Sequence, residues 1–166
     1  MATNFLLKLD GIEGESQVEG MSGHIEVLSL RFGGTQTGSF GAGSGGGAGK
    51  FTANDLEITA LTGKHTPKVL EACATGKHIK TATLTCRKAG GGTPVDFLKA
   101  TLSDVIVSQN ITEFVPSADG KNELPVDQIK FNYGKIALEY KEQKKDGSAG
   151  PATEGGFDTA KLKGGK

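Results

Sequence analysis

No excess of either charge sign marks the sequence: 19 Lys and Arg balance 19 Asp and Glu over 166 residues. A protein whose main partner is nucleic acid needs surplus Lys and Arg to neutralise phosphates, so that class is disfavoured. Zero net charge also leaves no long-range repulsion to keep copies of the chain apart. Only two cysteines occur, Cys73 and Cys86, in neither a CxxC pair nor a zinc spacing. They are expected to be free thiols in a chain folded in a reducing compartment. No apolar run is long enough to span a membrane. The N-terminal Phe5-Leu6-Leu7 is cut short by Lys8 and Asp10, with no basic stretch before it. That is not a secretory signal, so the chain is expected in the cytoplasm, and any export must use a route other than a cleaved signal peptide.

Catalytic constellations are missing too. The phosphate-loop pattern requires glycine and Ser/Thr at positions that here hold Ser44 and Phe51. A GxGxxG does occur at Gly41, Gly43 and Gly46, but a strand-like stretch follows it where that motif must open a helix. His24, His65 and His78 match no zinc module, and the two latter are expected at the surface or beside caps. The acidic turns with Asp10, Glu13 and Glu15, and with Asp119 and Glu123, lack calcium-loop spacing. No serine sits in a GxSxG elbow. The residues thus argue against an enzyme and imply no cofactor and no metal.

What is present is strand pattern. Six stretches, 5–10, 24–38, 50–61, 78–88, 95–109 and 126–141, carry the alternation or β-branched content of strands. Three of them change phase. Ile25 and Val27 give way to Leu28, Leu30 and Phe32; Leu98, Ala100 and Leu102 to Val105 and Val107; Ile129, Phe131 and Tyr133, across Gly134, to Ile136, Leu138 and Tyr140. Such switches are expected of strands that bend from one sheet into another, or of outer faces covered by another subunit. One helix is expected at about 66–75, with Thr66 as N-cap, Pro67 in the first turn and Gly76 as stop. Its buried side should hold Val69 with Cys73 and Leu70 with Ala74. The predicted fold is mainly β, a compact barrel of two packed sheets with one flanking helix. It forms a single domain over 1–142, followed by a flexible polar tail over 143–166.

The most unusual stretch is SFGAGSGGGAGK at 39–50, where no residue from 41 to 49 is larger than serine. Residues 1–38 hold too few strands to fold alone, so this is an insertion between strands of one domain rather than a linker. Connections this long without structure tend to be functional, and bare glycine backbone can approach another surface closely.

FLLKLDGIEGES at 5–16, HIEVLS at 24–29, GGGAGKF at 45–51, HTPKVLEACATGKHI at 65–79 and LTCRKAGG at 84–91 occur in that order. Together they resemble the haemolysin-coregulated protein (Hcp) family, the tube component of the bacterial type VI secretion system. The resemblance runs from residue 5 to about 142. It implies a barrel of two sheets with a flanking helix. It also implies rings of six copies that stack into an expelled tube, and export through the secretion machine itself. Implied partners are further copies of the chain, the spike and sheath components, and effector proteins in the channel.

Carried onto this sequence, the glycine-rich stretch corresponds to the family's extended assembly loop. Its candidate contact residues are Gly38, Ser39, Phe40, Gly41, Gly43, Gly45, Gly46, Gly47, Gly49, Lys50 and Phe51, with Phe40 and Phe51 as apolar anchors at its ends. Ser29 and Arg31, opposite Leu28, Leu30 and Phe32, are candidates for the channel wall or a subunit contact. The alternative class is a stand-alone β-sandwich module binding peptide or carbohydrate through its loops.

Overall fold

The computed structural model describes residues 3–38, 49–88, 92–114, 116, 119–120 and 125–165. Nine strands and one helix follow one another: β1 Thr3–Leu9, β2 Ile25–Val27, β3 Ser29–Gln36, β4 Phe51–Leu61, α1 Thr66–Thr75, β5 Ile79–Lys88, β6 Val95–Glu113, β7 Val126–Gln143, β8 Ala149–Asp158 and β9 Lys163–Gly164. All pairings are antiparallel, in the order β2-β1-β5-β6-β7-β4-β3, with β8 added to β7 and β9 to β8. The fold is mainly β with one short helix, as expected.

The two ends of this path, β2 and β3, are consecutive in the chain and joined by Leu28 alone. Among the described residues no ladder closes the sheet on itself; a covalent corner links its two ends. The Leu28 N–H donates to the Thr59 carbonyl at 2.8 Å, so this corner is pinned to β4. Ile25 and Val27 are buried before it, and Leu30 and Phe32 pack on the core after it. The first phase switch is therefore a strand that leaves β1 for β4.

The other two switches lie side by side. In β6 the buried set passes from Ala100 and Leu102 to Val105 and Val107 across Asp104, which has φ 55°. In β7 it passes from Ile129, Phe131 and Tyr133 to the half-buried Ile136 and Leu138 across Gly134. A Cβ on Gly134 would lie 3.2 Å from that of Asp104. In β5 Ile79 and Ala82 are buried, a third switch in register with Asp104. Three neighbouring strands turn over along one line, which bends the sheet around its core.

The expected tail is corrected most. Residues 149–158 are strand β8, paired with β7 from Lys135↔Asp158 to Gln143↔Ala149. The physical reason lies in the length of β7. Its first half, Val126 to Phe131, pairs with β4, whose ladder with β7 ends at Leu56↔Phe131. That leaves the edge of β7 from Lys135 onward open, and β8 takes it. The turn between them is closed by Gly147 N–H to the Lys144 carbonyl at 2.9 Å and Lys144 N–H to the Ser148 carbonyl at 2.8 Å. Pro151 sits where the ladder shifts register, the place in a strand where a missing N–H costs least.

The helix forms at the expected span but is capped differently. His65 is the N-cap and makes no side-chain capping bond. The Thr66 hydroxyl accepts the Gly63 N–H at 3.0 Å and donates to Asp127 at 2.6 Å, so it is not available as a cap. Gly76, at φ 64°, ends the helix as expected. Val69 and Ala72 are buried and Cys73 packs on the core, while Leu70 is 57% exposed and Ala74 is exposed. The buried stripe is thus narrower than two four-residue pairs suggest. Both cysteines are free, and burial pushes the Cys86 thiol up to about 11.

Candidate functional site

Ser29 and Arg31 are exposed on β3 and lie on the outward face of a sheet region shared with β4, β7 and β6. Register sets Ser29 beside Thr59 and then Gln128, and Arg31 beside Glu57 and then Lys130. The face satisfies itself. Ser29 Oγ and Thr59 Oγ1 are 2.6 Å apart, and Lys130 pairs with Glu57 at 3.3 Å. Asp55 accepts from Ser108 at 2.5 Å and Asn132 at 2.9 Å, and Gln128 donates to Glu113 at 3.2 Å. Arg31 makes no ion pair or hydrogen bond among the described residues. Behind this face stand Leu56, Ile58, Ile129 and Phe131, all buried. The alternation of β4 and β7 thus produces a wall, polar in front and apolar behind, held by short cross-strand pairs, with Ile111 of β6 exposed beside Gln128 on the same face.

The second expected site is described only at its neck. Ser39, Phe40, Gly41, Gly43, Gly45, Gly46 and Gly47 lie outside the described residues. At the neck, β3 and β4 run close together: Gln36 faces Phe51, and Gln36 Nε2 donates to the Gly49 carbonyl at 3.0 Å. A Cβ at Gly49 would overlap the Thr37 carbonyl, and one at Gly34 would overlap the Phe51 ring. Only glycine permits this approach. A Cβ on Gly38 would meet open space, and Lys50 is exposed. Phe51 is anchored, though against its own chain: its ring meets Phe157 of β8 edge-on, with centroids 4.7 Å apart. The strand that replaces the expected tail therefore buttresses the base of the glycine-rich segment.

A buried polar centre was not legible as such. Asp127 on β7 is fully buried and accepts from the hydroxyls of Thr66 and Thr112, each at 2.6 Å. His65 is also buried; of the surface or cap positions expected for it the structure gives the cap, and its Nε2 lies 3.3 Å from Asp127 without hydrogen-bond alignment. Burial holds the His65 pKa below its ordinary value, opposed by the nearby carboxylates of Asp127 and Glu15. The folded state thus resists protonation that the unfolded chain accepts near pH 6.5. Stability from this residue is complete above about pH 6.5 and is lost as pH falls below it. We expect the melting temperature to drop between pH 7 and pH 5.5, and the drop to shrink in His65→Gln. Thermal unfolding of both proteins at the two pH values checks this; an equal drop in both would exclude His65 as the source.

Among the described residues no group of three or more His, Cys, Asp or Glu could hold a metal ion, and no helix is long and apolar enough to cross a membrane.

Comparison with known proteins bears on what these surfaces belong to. The family model described as "Type VI secretion system effector, Hcp" matches residues 6–140. The chain is 36% identical to Protein hcp1 of Pseudomonas aeruginosa over 157 residues, 93% of this chain and 94% of that one. Among solved structures, Hcp1 from Salmonella typhimurium superposes with a TM-score of 0.79 at 28% identity, covering 99% of each chain. A type six secretion system protein superposes with a TM-score of 0.89 at 25% identity, covering 99% of this chain and 100% of that one. The β8 addition lies beyond the family match but within the superposed lengths. A mainly β chain with one flanking helix, matched along nearly its whole length, thus belongs to the Hcp family of type VI secretion tube proteins.

Proposed function

We propose that six copies of this chain close into a ring. The outward polar face of β3, β4, β7 and β6, with Ser29 and Arg31, lines its channel. Rings stack through the segment from Gly38 to Phe51 into the tube that the secretion system expels, alongside its spike and sheath components, and small effector proteins ride in the channel. The polar wall is the observation that carries this reading. A channel that passes other proteins needs a surface that is satisfied in its own hydrogen bonds and offers no large apolar patch to hold cargo fast. The neck supports the stacking role, because the Gln36–Gly49 bond and the Phe51–Phe157 contact hold the two ends between which the glycine-rich segment runs in sequence.

The test is the mass of the purified protein by light scattering, with negative-stain imaging of the same fraction. The protomer is 17.2 kDa, and a ring-shaped species of six times that mass is the expected result. A monomer at every concentration would refute the ring. Replacing residues 41–48 by a short turn is expected to leave the circular dichroism spectrum and the ring intact and to abolish stacked tubes. Normal tubes from that variant would remove the assembly role of the segment.

A further inference from the structure

The corner at Leu28 leaves a pocket of about 260 Å³, lined among others by Glu15, Ser16, Glu26, Leu28, Leu61 and His65. We infer that this pocket receives a lysine side chain from a second copy of this chain, an inference that rests on the ring reading above.

Two apolar groups stand at this pocket. Leu28 is 55% exposed because it is the single residue at which the strand changes its buried side, so neither sheet region covers it. Leu61, 43% exposed, is the last residue of β4. Two carboxylates stand with them. Glu26 alternates with the buried Ile25 and Val27, points outward, and has no ion pair or hydrogen bond among the described residues. Among the described residues the Glu15 carboxylate accepts the backbone N–H of Lys64 at 3.2 Å and feels the charge of the Lys64 ammonium, which is itself held by Glu13 at 2.8 Å. Exposed leucines beside two carboxylates that form no ion pair among the described residues fit a side chain with an apolar stem and a positive head. At neutral pH His65 adds no competing positive charge, since its burial disfavours the protonated form.

The occupant is a lysine because the chain's two arginines are placed elsewhere. Arg87 is held by Asp96 at 2.6 Å and donates to the Glu19 carbonyl at 2.9 Å, and Arg31 lies on the polar wall. The occupant belongs to a second copy because the chain as a whole is neutral: acidic groups unmatched here leave cations unmatched elsewhere on the same surface. A head-to-tail ring contact joins two different patches of one chain and so brings such groups together.

The test uses the full-length protein at ring-forming concentration, mixed from ¹⁵N-labelled and unlabelled chains. Zero-length carbodiimide coupling followed by mass spectrometry is expected to join Glu15 or Glu26 to a lysine of the other isotope. Glu26→Lys and Leu28→Asp are each expected to raise the concentration for half-assembly at least tenfold, with unchanged circular dichroism. A wild-type protein that never forms rings overturns the ring reading, and this inference with it. Rings that form while no mixed-isotope link to Glu15 or Glu26 appears overturn the pocket inference alone. So does a Glu26→Lys variant that assembles like wild type. Because the coupling is done on the wild-type chain, a variant that fails to fold leaves the test intact.

Discussion

A chain ended at Lys145 is expected to melt about 10 °C below the full-length protein. That truncation removes β8, which pairs with β7 from Lys135 to Gln143, and with it Phe157, which meets Phe51 at 4.7 Å. It also strips two bonds from the Gly134 carbonyl, given by the Thr159 N–H at 2.8 Å and hydroxyl at 2.7 Å. Losing a half-buried phenylalanine together with the ladder and the two bonds to Gly134 costs on the order of 3 kcal/mol. For a chain of this length each kcal/mol shifts the melting temperature by roughly 2–4 °C. The bared edge of β7 would also invite pairing between chains, so more aggregation on heating is expected. Differential scanning calorimetry of the two lengths reads the shift. Coincident melts would mean that β8 adds nothing and that residues beyond 142 behave as a tail after all. Phe157→Ala in the full-length chain isolates the ring contact and is expected to give part of the same loss, with the ladder kept.

The same strand shows where sequence reasoning reached its limit. The periodic segments were legible because each has one face against the core: β4 alternates cleanly, and the phase switches at Leu28 between β2 and β3, at Asp104 in β6 and at Gly134 in β7 mark real bends. The sequence of β8, AGPATEGGFD, has no apolar alternation, since the strand completes an edge instead of covering a core. Its only local signals were Asp146-Gly147, a hairpin dipeptide, and the lone aromatic Phe157. Lysines and glycines around them read as solvent-loving tail. Ser29 and Arg31 were placed on an outward face by parity alone, and the structure puts them there. Their partners Thr59 and Glu57 are 30 and 26 residues away, so no local pattern could name them. The cap was misread for a similar reason. Thr66 before Pro67 has the local chemistry of an N-cap, but a carboxylate 61 residues downstream claims its hydroxyl.

That carboxylate carries the second large expectation: Asp127→Ala should destabilise the protein by about 3 kcal/mol, read as a lower denaturation midpoint in urea with an unchanged slope. Asp127 is fully buried, and both of its oxygens are used. Oδ1 takes the Thr112 hydroxyl of β6 and Oδ2 takes the Thr66 hydroxyl of α1. It is therefore the point at which β7 holds both the end of β6 and the start of the helix. Hydrogen bonds to a charged group contribute about 1.5–3 kcal/mol each, and losing both partly offsets against the cost of desolvating the carboxylate. Alanine also leaves the half-buried Thr66 hydroxyl without its acceptor, while the exposed Thr112 can turn to water. Asp127→Asn keeps the size and one acceptor oxygen, so it should retain one of the two bonds and lose less. Thr112→Val removes one bond and should cost less than Asp127→Ala, whereas Thr66→Val removes two, because the Thr66 hydroxyl also accepts the Gly63 N–H. If the alanine variant lost no more stability than Thr112→Val, the carboxylate would not be the shared anchor of the helix and the two strands.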